Sequence, residues 1–170
     1  MTQSTGTPES DSGSHERLII GAASRFGASL AGECHEALVA DIASGSETVV
    51  VGAGEYLFRA GDPGDAAYFV VTGRLIVVEV TPDGEVPIRR LTRGEIFGEM
   101  ALLDDTPRSA DARVHEKCRL LVLSREAFED LLFLHKDLAY EVLWSMVRML
   151  LGRLRETTDK LTFLSISGKF

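Results

Sequence analysis

VTPDGEVPI, residues 80–88, decides the fold class. Asp83-Gly84 is a step that tolerates positive backbone dihedrals, and apolar runs flank it from Leu75 to Val80 and from Pro87 to Leu91, so the segment predicts a β-hairpin. Outward from it, between Thr48 and Ser124, short runs of Val, Ile, Leu, Phe and Tyr are punctuated by Gly52, Gly61-Asp62, Gly73, Asp83-Gly84 and Gly94, at a spacing of roughly ten residues. That rhythm describes a small antiparallel β-sandwich or barrel, with Arg119 to Leu123 as its last strand.

The flanks read differently. Residues 1–16 hold Ser, Thr, Gly, Pro and acidic side chains without an apolar period, and are expected to be a disordered tail. Residues 17–134 form the folded unit, a helical lead-in followed by the β-domain. The lead-in shows Leu30, Cys34, Leu38 and Ile42 at helical spacing, with Gly45 as terminator. Ser124 has N-cap character and opens a short helix through Leu134. Asp137 begins a longer one reaching about Leu161, so that 135–162 form a C-terminal helix and 163–170 a short tail. On this helix Val147, Leu150, Leu154, Thr157 and Leu161 make one stripe, and Leu138, Val142, Met146 and Met149 another. One stripe can cover the β-domain while the other pairs across a dimer axis. A single wide face packed on its own domain is the alternative.

Composition narrows the functional class. The chain has 170 residues, a net charge of −8, 45% hydrophobic and 26% charged residues, as a single soluble globular domain with a little extra would. It lacks a run long and apolar enough to span a bilayer, and its N-terminus has neither a basic nor a hydrophobic leader region, so membrane and secretion are not expected and a cytoplasmic location is. The acidic balance repels a polyanion, so direct nucleic-acid binding is not expected. Cys34 and Cys118 are too few for a disulfide framework, and Cys118, in CRLLVL, is expected to be a buried free thiol. His15, His35, His115 and His135 are scattered singly, with no paired ligand spacing and no recognisable nucleophile and base, so neither a metal, a cofactor nor an enzymatic activity is expected.

RGEIFGEMALLDDTPRSADAR, residues 93–113, carries the chemistry. Gly98 permits close backbone approach to a ligand, and Glu99 to Leu103 can form a helical turn whose free N–H groups attract an anion. Pro107 fixes its own backbone and steers the chain back, so that the Arg108 guanidinium meets the same anion with a planar fork of donors. Ser109 adds a hydroxyl and Ala110 an unobstructed N–H. Glu99 is unfavourable beside an anion unless it has a donor of its own, which a ribose 2′-hydroxyl would be. A structural Glu-Arg ion pair is the other reading.

FGEMALLDDTPRSA, residues 97–110, resembles the phosphate-binding cassette of the cyclic-nucleotide-binding domain family, with Gly98, Glu99, Ala101, Leu102, Pro107, Arg108, Ser109 and Ala110 on pattern positions. GEYLFRAGDPGDAAYFVVTGRL, residues 54–75, is similar to the family's other signature through Gly54, Glu55, Phe58, Gly61, Asp62, Tyr68, Val71 and Gly73. The resemblance runs from about Leu30 to Leu161. It implies a mainly β fold, an antiparallel β-jelly roll with flanking helices and a long C-terminal helix. It further implies that Arg108 pairs with the exocyclic phosphate oxygens and that Glu99 accepts from the ribose 2′-hydroxyl. Backbone groups at Gly98, Met100, Ser109 and Ala110 complete that contact, with Ala101 among the binding positions. Val77, Ile88, Leu91 and Phe97 are placed on the inner wall facing the ligand, ordinary core packing being the alternative for each.

The chain order and the ending LTFLSISGK, residues 161–169, look like the regulatory half of the catabolite activator protein family, with no helix-turn-helix following. In that resemblance the C-terminal helix lids the nucleobase, and the positions where the family offers hydroxyls fall on Leu154 and Arg155, the latter able to stack on a purine or bond its edge, a solvated helix arginine being the alternative. The expected function is a cyclic-nucleotide sensor, for cAMP rather than cGMP, that signals through its C-terminal helix to a protein effector or by forming a homodimer. The alternative is a ligand-free jelly-roll module for interaction or dimerisation.

Overall fold

The computed structural model describes residues 46–167, with Gly13 and Arg17 as isolated positions besides. The expected tail and lead-in helix, Cys34 included, otherwise lie outside the described residues. Strands β1 (Glu47–Val51), β2 (Tyr56–Phe58), β3 (Ala66–Thr81), β4 (Gly84–Leu91), β5 (Ile96–Phe97) and β6 (Asp111–Ser124) are followed by helices α1 (Arg125–Leu134) and α2 (Lys136–Ser167). A 3-10 turn, Glu99–Leu102, lies between β5 and β6.

All pairings are antiparallel, in the order β1-β6-β3-β4. β6 takes β1 and β2 end to end along one edge and β3 along the other; β3 takes β4 and β5 along its far edge. The expected last strand, Arg119 to Leu123, is only the end of this 14-residue β6. β3 runs straight through Gly73, which punctuates it as a register shift against β6 and not as a turn.

The hairpin at residues 80–88 forms with its turn displaced by one residue. Thr81 pairs with Gly84, so Pro82 and Asp83 bridge the strands, and Gly84 alone of the Asp83-Gly84 step has a positive φ, 123°. Pro82 is the cause: its ring holds φ near −65°, which closes the positive region at the first bridging position. Further along, Val77 faces Arg89 and Val78 faces Pro87, leaving Ile88 as the extra residue of a bulge. Pro87 has no N–H to give to the ladder, and the register shifts beside it.

Strand alternation feeds two cores. Ala67, Phe69 and Val71 of β3 and Leu121 and Leu123 of β6 face the helices, where Phe128 and Met146 close over them. Val70, Leu75, Leu91, Ala112, Val114, Cys118 and Leu120 fill the opposite side with Phe97. Cys118 is the buried thiol expected, and burial raises its pKa.

Ser124 caps α1, its hydroxyl accepting from the Ala127 N–H at 3.1 Å. α2 begins one residue beyond His135 and continues to Ser167, so the expected tail over 163–170 is helical as far as Ser167. No proline or glycine interrupts the sequence between Gly152 and Gly168, and the helix has no reason to stop at Leu161. Val142, Met146 and Met149 pack on the β-domain. Tyr140, Trp144, Val147, Leu151, Leu154 and Leu161 are exposed. The uncovered stripe thus includes Trp144 and Leu151, whereas Leu150 of the expected stripe is half-buried.

Candidate functional site

The site begins where β5 ends. Gly98 adopts φ 70°, ψ 9° and caps the 3-10 turn that carries Glu99. A side chain at Gly98 would be strained and would place its Cβ 2.8 Å from Arg108 Nη1, so the backbone and this guanidinium approach as only glycine allows. Arg108 is 7% exposed. Its Nη1 donates to the Gly98 carbonyl at 3.2 Å, and its guanidinium lies 4.4 Å from the Phe58 ring centroid and 5.5 Å from that of Tyr68. Its backbone is fastened too: the Arg108 N–H donates to the Asp62 carbonyl at 2.9 Å, and the Gly61 N–H to the Arg108 carbonyl at 2.8 Å. Burial raises the Tyr68 phenol above its usual range, with the Arg108 charge opposing.

Glu99 is 1% exposed. Its partner is Arg153, which reaches from α2 so that Nη1 bonds Glu99 Oε1 while Nη2 donates to the Ile96 carbonyl at 3.3 Å. Burial lowers the pKa of Arg153, and the Glu99 carboxylate opposes that shift. The ion pair of Glu99 with Arg108, one reading of the loop, is not the pairing formed. Instead Glu99 Oε2 and Arg108 Nε are both buried without a hydrogen-bond partner. An unpaired buried donor or acceptor costs on the order of 1–3 kcal/mol, more when charged.

Both groups line one cavity of about 190 Å³, well beyond the roughly 15 Å³ that a single water needs. Gly98, Glu99, Met100, Ala101, Arg108, Ser109 and Ala110 come together there, with Val77, Ile88 and Phe97 on the wall. Three expected residues are not brought to it. Leu91 is fully buried in the core behind Phe97 and does not line the cavity. Leu154 is 62% exposed and Arg155 is exposed, and neither lines it. Each residue advances about 100° around a helix, so these two turn away from the face that packs on the domain. The residue on that face is Arg153, which sequence reasoning missed. Its signal was present, because the stripe Val142, Met146 and Met149 continues to 153 in the next helical step.

The arrangement can do two things: the Arg108 guanidinium, packed near two aromatic rings, can receive an anion, and the Glu99 carboxylate lining the same cavity can receive a hydroxyl donor. The family model described as cyclic nucleotide-binding domain matches residues 48–135. A cAMP-dependent protein kinase regulatory subunit from Emericella nidulans is 42% identical over 94 residues, covering 55% of this chain and 22% of its own. The cyclic AMP receptor protein of Thermus thermophilus is 39% identical over 113 residues, covering 66% of this chain and 50% of its own. The chain therefore spans about a fifth to a half of the length of these curated relatives. A solved cyclic nucleotide-binding domain from Methylobacillus flagellatus superposes with a TM-score of 0.74 at 28% identity, over 86% of this chain and 84% of that one. The antiparallel domain with its C-terminal helices has the jelly-roll fold of that neighbour. Sequence and fold agree, and the chain belongs to the cyclic nucleotide-binding domain family.

Proposed function

We propose that the chain is a cyclic-nucleotide sensor that takes cAMP in preference to cGMP and reports occupancy through α2, by self-association or to a protein effector. One observation supports the reading: an arginine and a carboxylate, each with a buried side-chain atom left without a hydrogen-bond partner, line the same cavity. A ligand that satisfies both must present an anion and a hydroxyl donor close together, as the cyclic phosphate and ribose 2′-hydroxyl of a cyclic nucleotide do. Ser109 and Ala110 line the cavity with Arg108, and their backbone N–H groups suit a phosphate. The preference for adenine rests on the cAMP-named relatives.

The route to α2 is Arg153. A 2′-hydroxyl taken by Glu99 alters the carboxylate that holds this helix residue, and so biases the position of α2. Tyr140, Val147, Leu154 and Leu161 are seven residues apart on α2, with Trp144 and Leu151 between them, and form an apolar seam suited to a second helix. Titration calorimetry with cAMP and cGMP tests the reading. Saturable binding, tighter for cAMP and weakened on the order of 100-fold or more in Arg108→Ala, is the expected result. Equal affinity in parent and Arg108→Ala would remove the site; no heat and no thermal stabilisation with either nucleotide would remove the function.

A further inference from the structure

Arg125 has no part in the cavity, yet its guanidinium gathers a denser set of contacts than Arg108 does. It is the first residue of α1, directly after the capping Ser124. Nε and Nη2 both donate to the Ala101 carbonyl, at 2.8 and 2.6 Å. Nη2 also donates to the Asp104 carbonyl at 2.5 Å and to the Gly64 carbonyl at 3.1 Å, and Nη1 pairs with the Asp105 carboxylate. The backbone N–H of the same residue donates to the Asp65 carbonyl at 2.7 Å. Three stretches of chain therefore meet at one side chain: the loop before β3, the turn after the anion site, and the start of α1.

The position of these acceptors gives the contact its meaning. The 3-10 turn Glu99–Leu102 has its N-terminal end in the ligand cavity and its C-terminal carbonyls, the negative end, against Arg125. A short turn held at both ends transmits displacement. α1 is separated from α2 by His135 alone and buries Phe128 and Leu131, with Phe128 in the core that contains Met146 of α2. We infer that Arg125 is a positioning residue that fastens the ligand-binding turn to α1, so that turn and helix shift as one body. Lysine does not substitute, because one compact ammonium cannot hold the Gly64 carbonyl of one segment and the Ala101 and Asp104 carbonyls and Asp105 carboxylate of another as a planar fork with five donors does.

The second half of this inference, a shift driven by nucleotide, rests on the sensor reading; the fastening itself does not. Amide hydrogen exchange on the full chain separates them, using parent, Arg125→Gln and Arg125→Lys. Without nucleotide, exchange across residues 99–105 is expected to run at least tenfold faster in Arg125→Gln, with β3 and β6 unchanged and with no rescue by Arg125→Lys. With saturating cAMP, exchange in the parent should fall in both the turn and α1, and in Arg125→Gln in the turn only. Unchanged exchange of residues 99–105 in the ligand-free variant overturns the fastening, and so does acceleration spread evenly over the sheet. An α1 response to cAMP as large in the variant as in the parent overturns the coupling. If cAMP protects nothing in the parent, the nucleotide reading fails while the ligand-free comparison still decides the fastening. Should Arg125→Gln not fold, Arg125→Lys supports the same comparison.

Discussion

Arg153→Met is the most informative single change on α2. It keeps an unbranched stem beside Met149 and deletes the guanidinium that faces Glu99. What remains is a carboxylate 1% exposed, with Oε2 already unpartnered and Oε1 newly so. Removing one member of a buried ion pair costs about 3–5 kcal/mol. Arg153 is itself 29% exposed, so water reaches the gap, and the expected loss is about 2–3 kcal/mol. At about 2–4 °C per kcal/mol for a domain of this size, Tm falls by roughly 4–12 °C. Urea denaturation with matched m-values measures it, and two controls give it meaning. Arg155→Met, on the exposed side of the same helix, should stay within about 0.5 kcal/mol of the parent. Glu99→Gln combined with Arg153→Met should recover most of the loss, because the uncompensated charge is gone. If Arg153→Met proves no worse than Arg155→Met, or the double variant is as unstable as Arg153→Met alone, the pairing is not what holds α2 to the site.

Gly98→Ala forces a side chain into φ 70° with its Cβ 2.8 Å from Arg108 Nη1; it should cost about 1–2 kcal/mol of stability, and calorimetry should show nucleotide affinity lowered beyond that seen with an exposed control such as Leu103→Ala. Leu151→Glu puts a charge in the middle of the apolar seam on α2, so sedimentation should show self-association weakened while the monomer keeps its Tm. Glu95 gives a pH dependence. Burial raises its pKa, but the Thr92 backbone and hydroxyl and the Arg89 guanidinium outweigh it, leaving the group below its usual value of 4.5. As the pH falls below about 4.5 the unfolded chain takes up this proton first, and stability is lost. Thermal melts of Glu95→Gln should therefore lose less Tm than the parent between about pH 5 and pH 3; parallel curves would show that the Thr92 contacts contribute nothing.

Much of this molecule is legible along the chain because its signals are local. Ser124 caps α1 through a bond to Ala127, three residues on, and the cassette from Gly98 to Ala110 closes around itself, so both can be read from neighbours. The hairpin was legible except for its turn, where Pro82 overruled the dihedral freedom of Asp83-Gly84. Leu91, opposite Leu75, and Val77, opposite Arg89, are apolar residues on the same face of neighbouring strands, and which of them lines the cavity depends on how far along the strands each lies, which composition does not contain. On α2 the short motifs point to Leu154 and Arg155, while the helical period of Val142, Met146 and Met149 points to Arg153, the residue that lines the cavity. Arg125 escaped notice because its partners are carbonyls, which any residue supplies and no sequence pattern marks.

The place of β6 in the sheet has a consequence for how the chain is made. It is the last strand to be synthesised, and it is the strand to which β1, β2 and β3 all pair. On the ribosome the hairpin of β3 and β4 can form early, but Val49 of β1 waits for Leu120 and Leu75 of β3 for Val114. Until then the nascent chain carries apolar strands with open edges, a period in which chaperone capture or aggregation competes with closure. Long-range pairing of this kind folds on the slower scale of milliseconds to seconds. A chain interrupted before Asp111 lacks the strand that joins β1 and β2 to β3, and is not a smaller version of the domain.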